Sequence, residues 1–243
     1  MNIFQILITD KEYEQEPLPN ALVSATQTVK GAFTDYKYQF FNHTAARLFI
    51  EIHFSKVVLD AFDGLRPYAY KSDLARYCLL FEQGGWYVDI GLKMLSSISA
   101  NQQIELIAFA DRGCPSCAPW AVQNGLIYTK PRNTIMAKAI DEICNNYRNR
   151  FYGQSPLDPT GPNLLGRLIA SHSNLKNSIF GEFRPLTPDL SFPNLMYITQ
   201  SGYLVAQHRT SWMPGTEGGD FEKLGGKGTN NYKKMWNERL IYE

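Results

Sequence analysis

The stretch that decides the fold, residues 67–95, reads PYAYKSDLARYCLLFEQGGWYVDIGLKML. Its first half predicts an amphipathic helix, because apolar side chains recur at spacings of four, three and four residues. Gly84 and Gly85 end that helix, since glycine enters the left-handed region at little cost. A strand-forming run from Trp86 to Ile90 follows, broken by the acid Asp89. Ligands bind at the carboxyl ends of strands in open α/β sheets, so this acid predicts a ligand site. The apolar residues of the helix are Tyr70, Leu74, Tyr77 and Phe81.

Two charged residues of the same helix, Asp73 and Arg76, lie off the apolar stripe. They are three positions apart, so they are neighbours on one face of the helix and can pair. Taken alone, the two residues are interpreted as a surface ion pair, in a helix whose first turns favour an aspartate. Only their surroundings in the sequence give them a functional interpretation.

The rest of the chain alternates strand and helix patterns. Strands are predicted at 3–9, 35–41, 104–110 and 203–206, and a turn at Asn124-Gly125 leads into another strand. Helices are predicted at 21–29, 44–53, 55–62, 133–145, 162–171 and 232–240, with loops at 10–20 and 217–228. Helices interleaved with strands predict an α/β fold with a central sheet, and 243 residues suit one domain.

Composition excludes several classes of protein. A formal charge of +1 gives no general attraction to nucleic acid. No apolar run approaches the ~20 residues that span a bilayer, and the first residues lack the basic start of a secretory signal. A cytoplasmic location is therefore expected. The pair Cys114 and Cys117 has the spacing of half a zinc site, but the second half is missing, so two inert thiols in a surface turn are the simpler interpretation.

Six sequence motifs together resemble those of glycosyltransferase family 32, the DXD-containing sugar transferases that include yeast α-1,6-mannosyltransferases and bacterial capsule and O-antigen enzymes. The resemblance rests first on Ala69-Tyr70-Lys71-Ser72-Asp73, on Arg76-Tyr77 and on Gly84-Gly85-Trp86-Tyr87-Val88-Asp89. Three weaker motifs follow in the family's order, and the resemblance extends over roughly residues 67–212. They are Asn124-Gly125, Thr160-Gly161-Pro162 and His208-Arg209-Thr210-Ser211-Trp212.

The resemblance implies a single-domain α/β fold of the GT-A-like type, with a central mixed sheet flanked by helices. The nucleotide-sugar-binding core would span about residues 1–130 and the acceptor side about 131–243. The implied activity is the retaining transfer of a sugar from a nucleotide-sugar donor, UDP-linked by preference or GDP-linked, to a glycan or lipid-linked saccharide. This activity would serve capsule or O-antigen synthesis in the cytoplasm, at the inner face of the membrane.

The resemblance also assigns roles to residues. Asp73, Arg76 and Asp89 would be catalytic and would contact the donor. Gly161 and Pro162 would lie on the acceptor side, and Asp89 and His208 would hold a metal. The remaining residues expected to bind the donor sugar or its nucleotide are Gln5, Thr9, Tyr70, Asn124 and Trp212.

The chain departs from the family at Gly91, where the second aspartate of D-x-D is expected. Three outcomes stay open: a Mn or Mg ion held by Asp89, His208, the diphosphate and water; a metal-independent site in which Lys93 or Arg209 stabilises the leaving group; or a catalytically silent protein that binds sugar nucleotides. Loss of a carboxylate weakens the binding of hard cations. A rival function is the glycosylation of a protein side chain, as in bacterial effector toxins with a related motif.

Overall fold

In the computed structural model, residues 1–10, 20–113, 117–187, 194–212 and 230–243 are described. Nine strands within these ranges form one mixed sheet in the order β2-β1-β3-β6-β5-β7-β8-β9-β4. The strands are β1 (Asn2–Ile6), β2 (Lys37–Phe41), β3 (Gly85–Val88), β4 (Lys93–Met94), β5 (Leu106–Asp111), β6 (Val122–Thr129), β7 (Ser178–Pro185), β8 (Leu195–Ile198) and β9 (Leu204–Gln207).

Helices flank this sheet, which confirms the predicted single-domain α/β class. The described ranges hold seven α-helices: α1 (Asn20–Ala32), α2 (His43–His53), α3 (Lys56–Gly64), α4 (Tyr68–Gln83), α5 (Thr134–Arg148), α6 (Pro162–Ala170) and α7 (Tyr232–Asn237). None of these helices has the length and apolar composition needed to cross a bilayer.

The direction of the strands brings chemically active residues to one edge of the sheet. β1 runs parallel to β3, and β6 runs antiparallel to both β3 and β5. β3 and β5 therefore point the same way, and β7 is parallel to β5. Asp89 directly follows β3, and Asp111 ends β5 at the same edge. Neighbouring strands are ~4.8 Å apart, so the two acids lie on either side of the start of β6.

The two largest of three hydrophobic cores among the described residues lie against this sheet. The larger core packs α2 to α6 onto Phe4, Tyr87 and Ile127, and the smaller core contains Trp86 and Phe109. Helix α4 belongs to the larger core and is buried over most of its length, which explains its weak amphipathic character. Tyr70, Leu74 and Tyr77 of the predicted apolar stripe are at most 2% exposed, and Phe81 is partly buried.

The junction of α4 and β3 has the predicted glycine stop, and the backbone requires it. Gly84 and Gly85 have φ angles of 60° and 111°, in a region that side chains rarely adopt. A Cβ atom on Gly85 would lie 2.3 Å from the carbonyl oxygen of Asn2 in the neighbouring strand. The two glycines therefore allow the chain to leave a buried helix and enter the centre of the sheet without a connecting loop.

Most predicted elements exist, with shifted bounds. β3 ends at Val88, so Ile90 lies beyond the strand, and β1 ends three residues before the predicted Thr9. The turn predicted at Asn124-Gly125 is wrong, because both residues lie inside β6. Gly125 is needed for close packing instead: a Cβ there would lie 2.8 Å from Oδ2 of Asp89. Of the loop predicted at 10–20, residues 11–19 lie outside the described residues, as does all of the loop predicted at 217–228. The two-residue strand β4 was not predicted.

The C-terminal segment, residues 230–243, returns to the start of α4. A β-bridge joins Leu65 to Tyr242, and the Arg66 N–H donates to Ile241 O at 3.0 Å. Asn230 binds both neighbours of Pro67: its Oδ1 accepts from Tyr68 N, and its Nδ2 donates to Arg66 O, both at 2.8 Å. The segment is thereby fixed beside the helix that carries Asp73 and Arg76.

Candidate active site

The ion pair of Asp73 and Arg76 is buried, which overturns its interpretation as a surface pair. The two residues are 7% and 5% exposed, and Arg76 Nη2 lies 3.0 Å from Asp73 Oδ1. Arg76 also reaches Asp89, with its Nη1 at 3.3 Å from Oδ1, and donates to the carbonyl oxygen of Asn124 at 2.6 Å. One guanidinium thus joins the acid of α4 to the acid that follows β3.

Asp73 is held on both of its carboxylate oxygens. Asn124 Nδ2 donates to Oδ1 at 2.9 Å, and the Thr160 hydroxyl donates to Oδ2 at 2.6 Å. Burial raises the pKa of the Asp73 carboxyl, and Arg76, Thr160 and Asn124 offset part of that rise. Asp73 therefore connects α4, β6 and the turn before α6, and its contacts orient Arg76 and Asn124.

Asp89 lies in a tight turn whose backbone is fixed on both sides. Its N–H donates to Gly125 O at 2.8 Å, and its carbonyl oxygen accepts from Leu92 N at 3.0 Å. The Tyr87 hydroxyl donates to Oδ1 at 2.7 Å, and the Tyr87 ring lies under the Arg76 guanidinium, 4.3 Å from its centre. The side chain of Asp89 is 21% exposed, so it faces both these partners and the open space at the strand ends.

Gln5 supports this turn from β1. Its Nε2 donates to the carbonyl oxygen of Asp89 at 3.2 Å, and its Oε1 accepts from the Tyr38 hydroxyl at 3.0 Å. Gln5 is fully buried. Gln5, predicted to contact the nucleotide, therefore binds the backbone of Asp89 and does not line the cavity.

The motif His208 to Trp212 separates into two environments. His208 follows β9, with its Nδ1 at 2.8 Å from the Thr210 hydroxyl, and its ring packs edge-on against Phe183. Burial lowers the pKa of the His208 imidazole to about 3, and Arg209 adds to this effect against Asp89. His208 is thus a neutral imidazole near pH 7, the form that binds metals.

Trp212 packs next to Leu7, Leu22 and Ile90 and does not itself line the cavity that contains the acids. The Lys93 ammonium lies 3.8 Å from the centre of the Trp212 ring, a cation–π contact. Of the two cations considered for a metal-independent site, Lys93 is therefore held by Trp212.

A cavity of about 500 Å³ opens at the edge of the sheet where Asp89 and Asp111 lie. It is large enough for a small-molecule ligand. Arg209, the other cation considered at the sequence level, contributes to its wall. Eight of the predicted site residues line it: Tyr70, Asp73, Arg76, Asp89, Asn124, Gly161, Pro162 and His208.

Three predicted residues do not line the cavity, and several unpredicted ones do. The three predicted residues outside its wall are Gln5, Thr9 and Trp212. The residues of the wall that were not predicted from the sequence include Asp111, Gln123 and Tyr232. Asp111 had a detectable signal, because it ends a predicted strand just as Asp89 does. Tyr232 had none, since nothing in the sequence relates the C-terminal segment to α4.

The residues present give a partial metal site. Among the described residues, no three His, Cys, Asp or Glu side chains converge on one point. Asp89 and His208 line the same cavity, and a Mg ion keeps several waters and takes its other ligands from phosphates. The donor set therefore fits a divalent ion only if the ligand brings oxygen atoms with it. Gly91 has no positive φ, so its backbone does not require glycine.

The cysteines differ from the sequence interpretation. Cys117, in the cavity wall, is disulfide-bonded and not an inert thiol, whereas Cys78 and Cys144 are free and buried. Burial raises the pKa of both free thiols, to about 11 for Cys144. They are therefore core residues.

Comparisons with known proteins bear on the class of this site. A family model described as "Glycosyltransferase sugar-binding region containing DXD motif" matches residues 19–108, a segment that includes Asp73, Arg76 and Asp89. The comparison with curated proteins gives no match.

Two solved structures resemble the chain. One, titled "PaToxG Glycosyltransferase", is 16% identical, with 69% of this chain and 68% of that chain covered and a TM-score of 0.51. The other is titled "crystal structure of a glycosyltransferase involved in the glycosylation of the major capsid of PBCV-1". It is 6% identical, with 75% and 82% covered and a TM-score of 0.37.

The matched sugar-binding region and the GT-A-like fold define the class: the chain is a glycosyltransferase. The family model covers α4, the glycine stop at Gly84-Gly85 and β3.

Proposed function

We propose that this chain is a family 32-like enzyme that transfers a sugar, with retention, from a nucleotide-sugar donor to the hydroxyl of a glycan. The observation that carries the proposal is the buried bridge Asp73–Arg76–Asp89 in the wall of one cavity, at the carboxyl ends of parallel strands. A transferase of this kind must hold a diphosphate, stabilise the charge that grows on it and orient the acceptor. The cavity holds groups suited to each task.

In this proposal Arg76 and Asn124 grip the donor sugar, and Asp73 orients them. The guanidinium is buried between two carboxylates, so its position is fixed before a ligand arrives. Preorganised donors of this kind cost no reorganisation during the reaction. Gly161 and Pro162, which line the cavity at the start of α6, then face the acceptor.

The charge of the cavity favours a divalent cation as cofactor. Its described wall has three carboxylates and two guanidinium groups, a formal balance of −1 with His208 neutral. A diphosphate would add further negative charge, which is costly in a partly buried site. Asp89 and His208 would hold a Mn or Mg ion, which supplies charge neutralisation at the diphosphate when bound.

The carboxylates of the cavity wall are all engaged, which favours attack and departure on the same face of the sugar. Both oxygens of Asp73 accept hydrogen bonds, Asp89 is held by Arg76 and Tyr87, and Asp111 accepts from Gly113 N at 3.1 Å. No covalent enzyme intermediate is then invoked. The bond from the anomeric carbon to the phosphate oxygen breaks, the acceptor oxygen bonds to that carbon, and the acceptor proton passes to the departing phosphate.

Several finer assignments belong to the same proposal. The donor is a UDP-sugar by preference and a GDP-sugar otherwise, and the acceptor is a glycan or lipid-linked saccharide of surface polysaccharide synthesis. Residues 1–130 form the donor half, residues 131–243 the acceptor half, and the enzyme works in the cytoplasm at the inner face of the membrane. These assignments rest on the resemblance of the sequence motifs to glycosyltransferase family 32.

Hydrolysis of UDP- and GDP-sugars, measured with Mn, with Mg and with EDTA, tests the proposal. We expect Asp89→Asn to lower hydrolysis by about 100-fold, the scale of a lost charge-stabilising group. Asp60→Asn is the matched control, because Asp60 pairs with Lys56 on the surface of α3 and does not line the cavity. The function is refuted if no nucleotide sugar is turned over, and tight binding without turnover indicates a silent protein.

A second variant, Gly91→Asp, tests the role of the metal. An added carboxylate beside Asp89 restores the D-x-D pair, and the affinity of hard cations rises with ligand charge. We expect the Mn concentration for half-maximal activity to fall about tenfold. Activity of the unaltered protein that persists unchanged in EDTA would instead support Arg209 as the cation at the leaving group.

A further inference from the structure

Tyr232 reaches the cavity from a part of the chain that no motif connects with sugar transfer. It is the first residue of α7, and it lines the cavity together with Asp73, Arg76 and Asp89. Its ring lies 6.0 Å from the ring of Tyr70 in α4, centre to centre. The C-terminal segment therefore adds a tyrosine to the wall that holds these charged residues.

The position of Tyr232 is fixed by the segment around it. Asn231 caps α7 by accepting from Lys234 N at 3.0 Å, and Trp236 Nε1 donates to Tyr152 O at 2.7 Å. Upstream, Asn230 holds the start of α4 through Tyr68 N. Since α7 is anchored at both ends, Tyr232 keeps one placement relative to Asp73 and Arg76.

The hydroxyl of Tyr232 is a hydrogen-bond donor with no acceptor among the described residues. Other tyrosines of the cavity wall have partners: Tyr70 donates to Pro156 O and Tyr87 donates to Asp89. Burial raises the pKa of Tyr232, Arg209 lowers it, and Asp73, Asp89 and Asp111 raise it further. The hydroxyl therefore stays protonated near pH 7 and is available as a donor.

We infer that the Tyr232 hydroxyl donates a hydrogen bond to the diphosphate of the bound nucleotide sugar, an inference that rests on the function proposed above. A neutral donor placed among acids and a guanidinium suits an anionic oxygen that arrives with the ligand. Donors aimed at an oxygen on which charge develops contribute to the rate as well as to binding. Tyr232 is then a catalytic residue supplied by the C-terminal segment.

The variant Tyr232→Phe tests this inference, because it keeps the ring against Tyr70 and removes only the hydroxyl. We expect kcat for donor hydrolysis to fall by about 10- to 100-fold. The affinity for UDP, measured by calorimetry, should fall by about 10-fold, whereas the affinity for uridine, which lacks the diphosphate, should not change. Tyr152→Phe is the matched control: its ring packs on Tyr242, outside the cavity wall.

The outcomes separate this inference from the proposed function. An unaltered protein that turns over no nucleotide sugar refutes the function and the inference together. Normal hydrolysis and UDP affinity in Tyr232→Phe overturn the inference alone, as does a change confined to the KM of the acceptor. Equal thermal stability of the two Phe variants and the parent shows that the comparison reports on the hydroxyl.

Discussion

Arg76 has two acidic partners from different elements, and only one of them could be inferred from local spacing. Asp73 lies three residues away on the same helix, so the pair follows from helical geometry. The contact with Asp89 depends on the placement of α4 over β3, which the glycine stop brings about. Burial of the pair could not be predicted, since the partners that offset its cost, Asn124 and Thr160, are far away in sequence.

Gln5 illustrates how a residue can be near the site and still act indirectly. We predict that Gln5→Leu lowers kcat about tenfold and leaves the affinity for UDP within about twofold, because the amide holds the Asp89 carbonyl and does not face the cavity. Separate measurement of kcat and of UDP affinity checks this. A loss of UDP affinity with unchanged kcat would instead support Gln5 as a nucleotide contact, and Tyr38→Phe should reproduce a weaker form of the kcat effect.

His208 gives a prediction about pH. Its pKa is lowered on folding to about 3, so between that value and about 6.5 the unfolded chain binds a proton that the folded chain does not. Stability is therefore lost as pH falls from 7 to 5, by about 1 to 2 kcal/mol from this residue. Urea unfolding of the parent and of His208→Asn at both pH values measures it. The variant should show the smaller loss, and an equal loss in both proteins contradicts the assignment.

At the scale of elements, the helix, the stop and the strand of residues 67–95 were predictable because each has a local cause. The period of the apolar residues gives α4, and the glycines give its end. The turn predicted at Asn124-Gly125 failed for a physical reason. This dipeptide favours turns in isolation, but here Gly125 lies within β6, where only a glycine leaves room for the carboxylate of Asp89. Tertiary packing decided that position, and no local pattern contains it.

The glycine stop yields a stability prediction. We expect Gly85→Ala to lower the free energy of unfolding by about 3 kcal/mol or more, through the clash with Asn2 O and a φ of 111°. Gly31→Ala is the matched control, since nothing lies within 4 Å of an added Cβ there and alanine favours the end of α1. Denaturant unfolding compares the two, and a neutral Gly85→Ala would contradict the described junction.

At the scale of the whole molecule, the sequence predicted the α/β class but not which distant segments meet. The cavity draws on α4, on the ends of β3 and β5, on the start of α6 and on α7. The order of the strands in the sheet brings the ends of β3 and β5 together. That order depends on pairings between residues far apart in the chain. Asp111 and Tyr232 were missed for this reason, although one of them ends a strand that was predicted.

The C-terminal segment is expected to contribute to global stability as well as to the cavity. Ile241 is fully buried in the larger core, so Ile241→Ala should cost about 2 to 4 kcal/mol. Chemical denaturation followed by tryptophan fluorescence measures this change. Leu240→Ala, at a neighbouring position that is 41% exposed, should change stability by less than about 1 kcal/mol. Equal effects would contradict the docking of residues 230–243 beside α4.

The double neutralisation of Arg76 has a consequence for how an anionic ligand enters. An arriving phosphate group finds no bare positive charge on this guanidinium, which pairs with two carboxylates and, in the proposed function, contacts the sugar. Few salt ions therefore collect around Arg76 in the free protein, and few are released from it when the ligand binds. The affinity for a nucleotide diphosphate should accordingly vary little between dilute and concentrated buffer, unlike that of a site built from unpaired lysines.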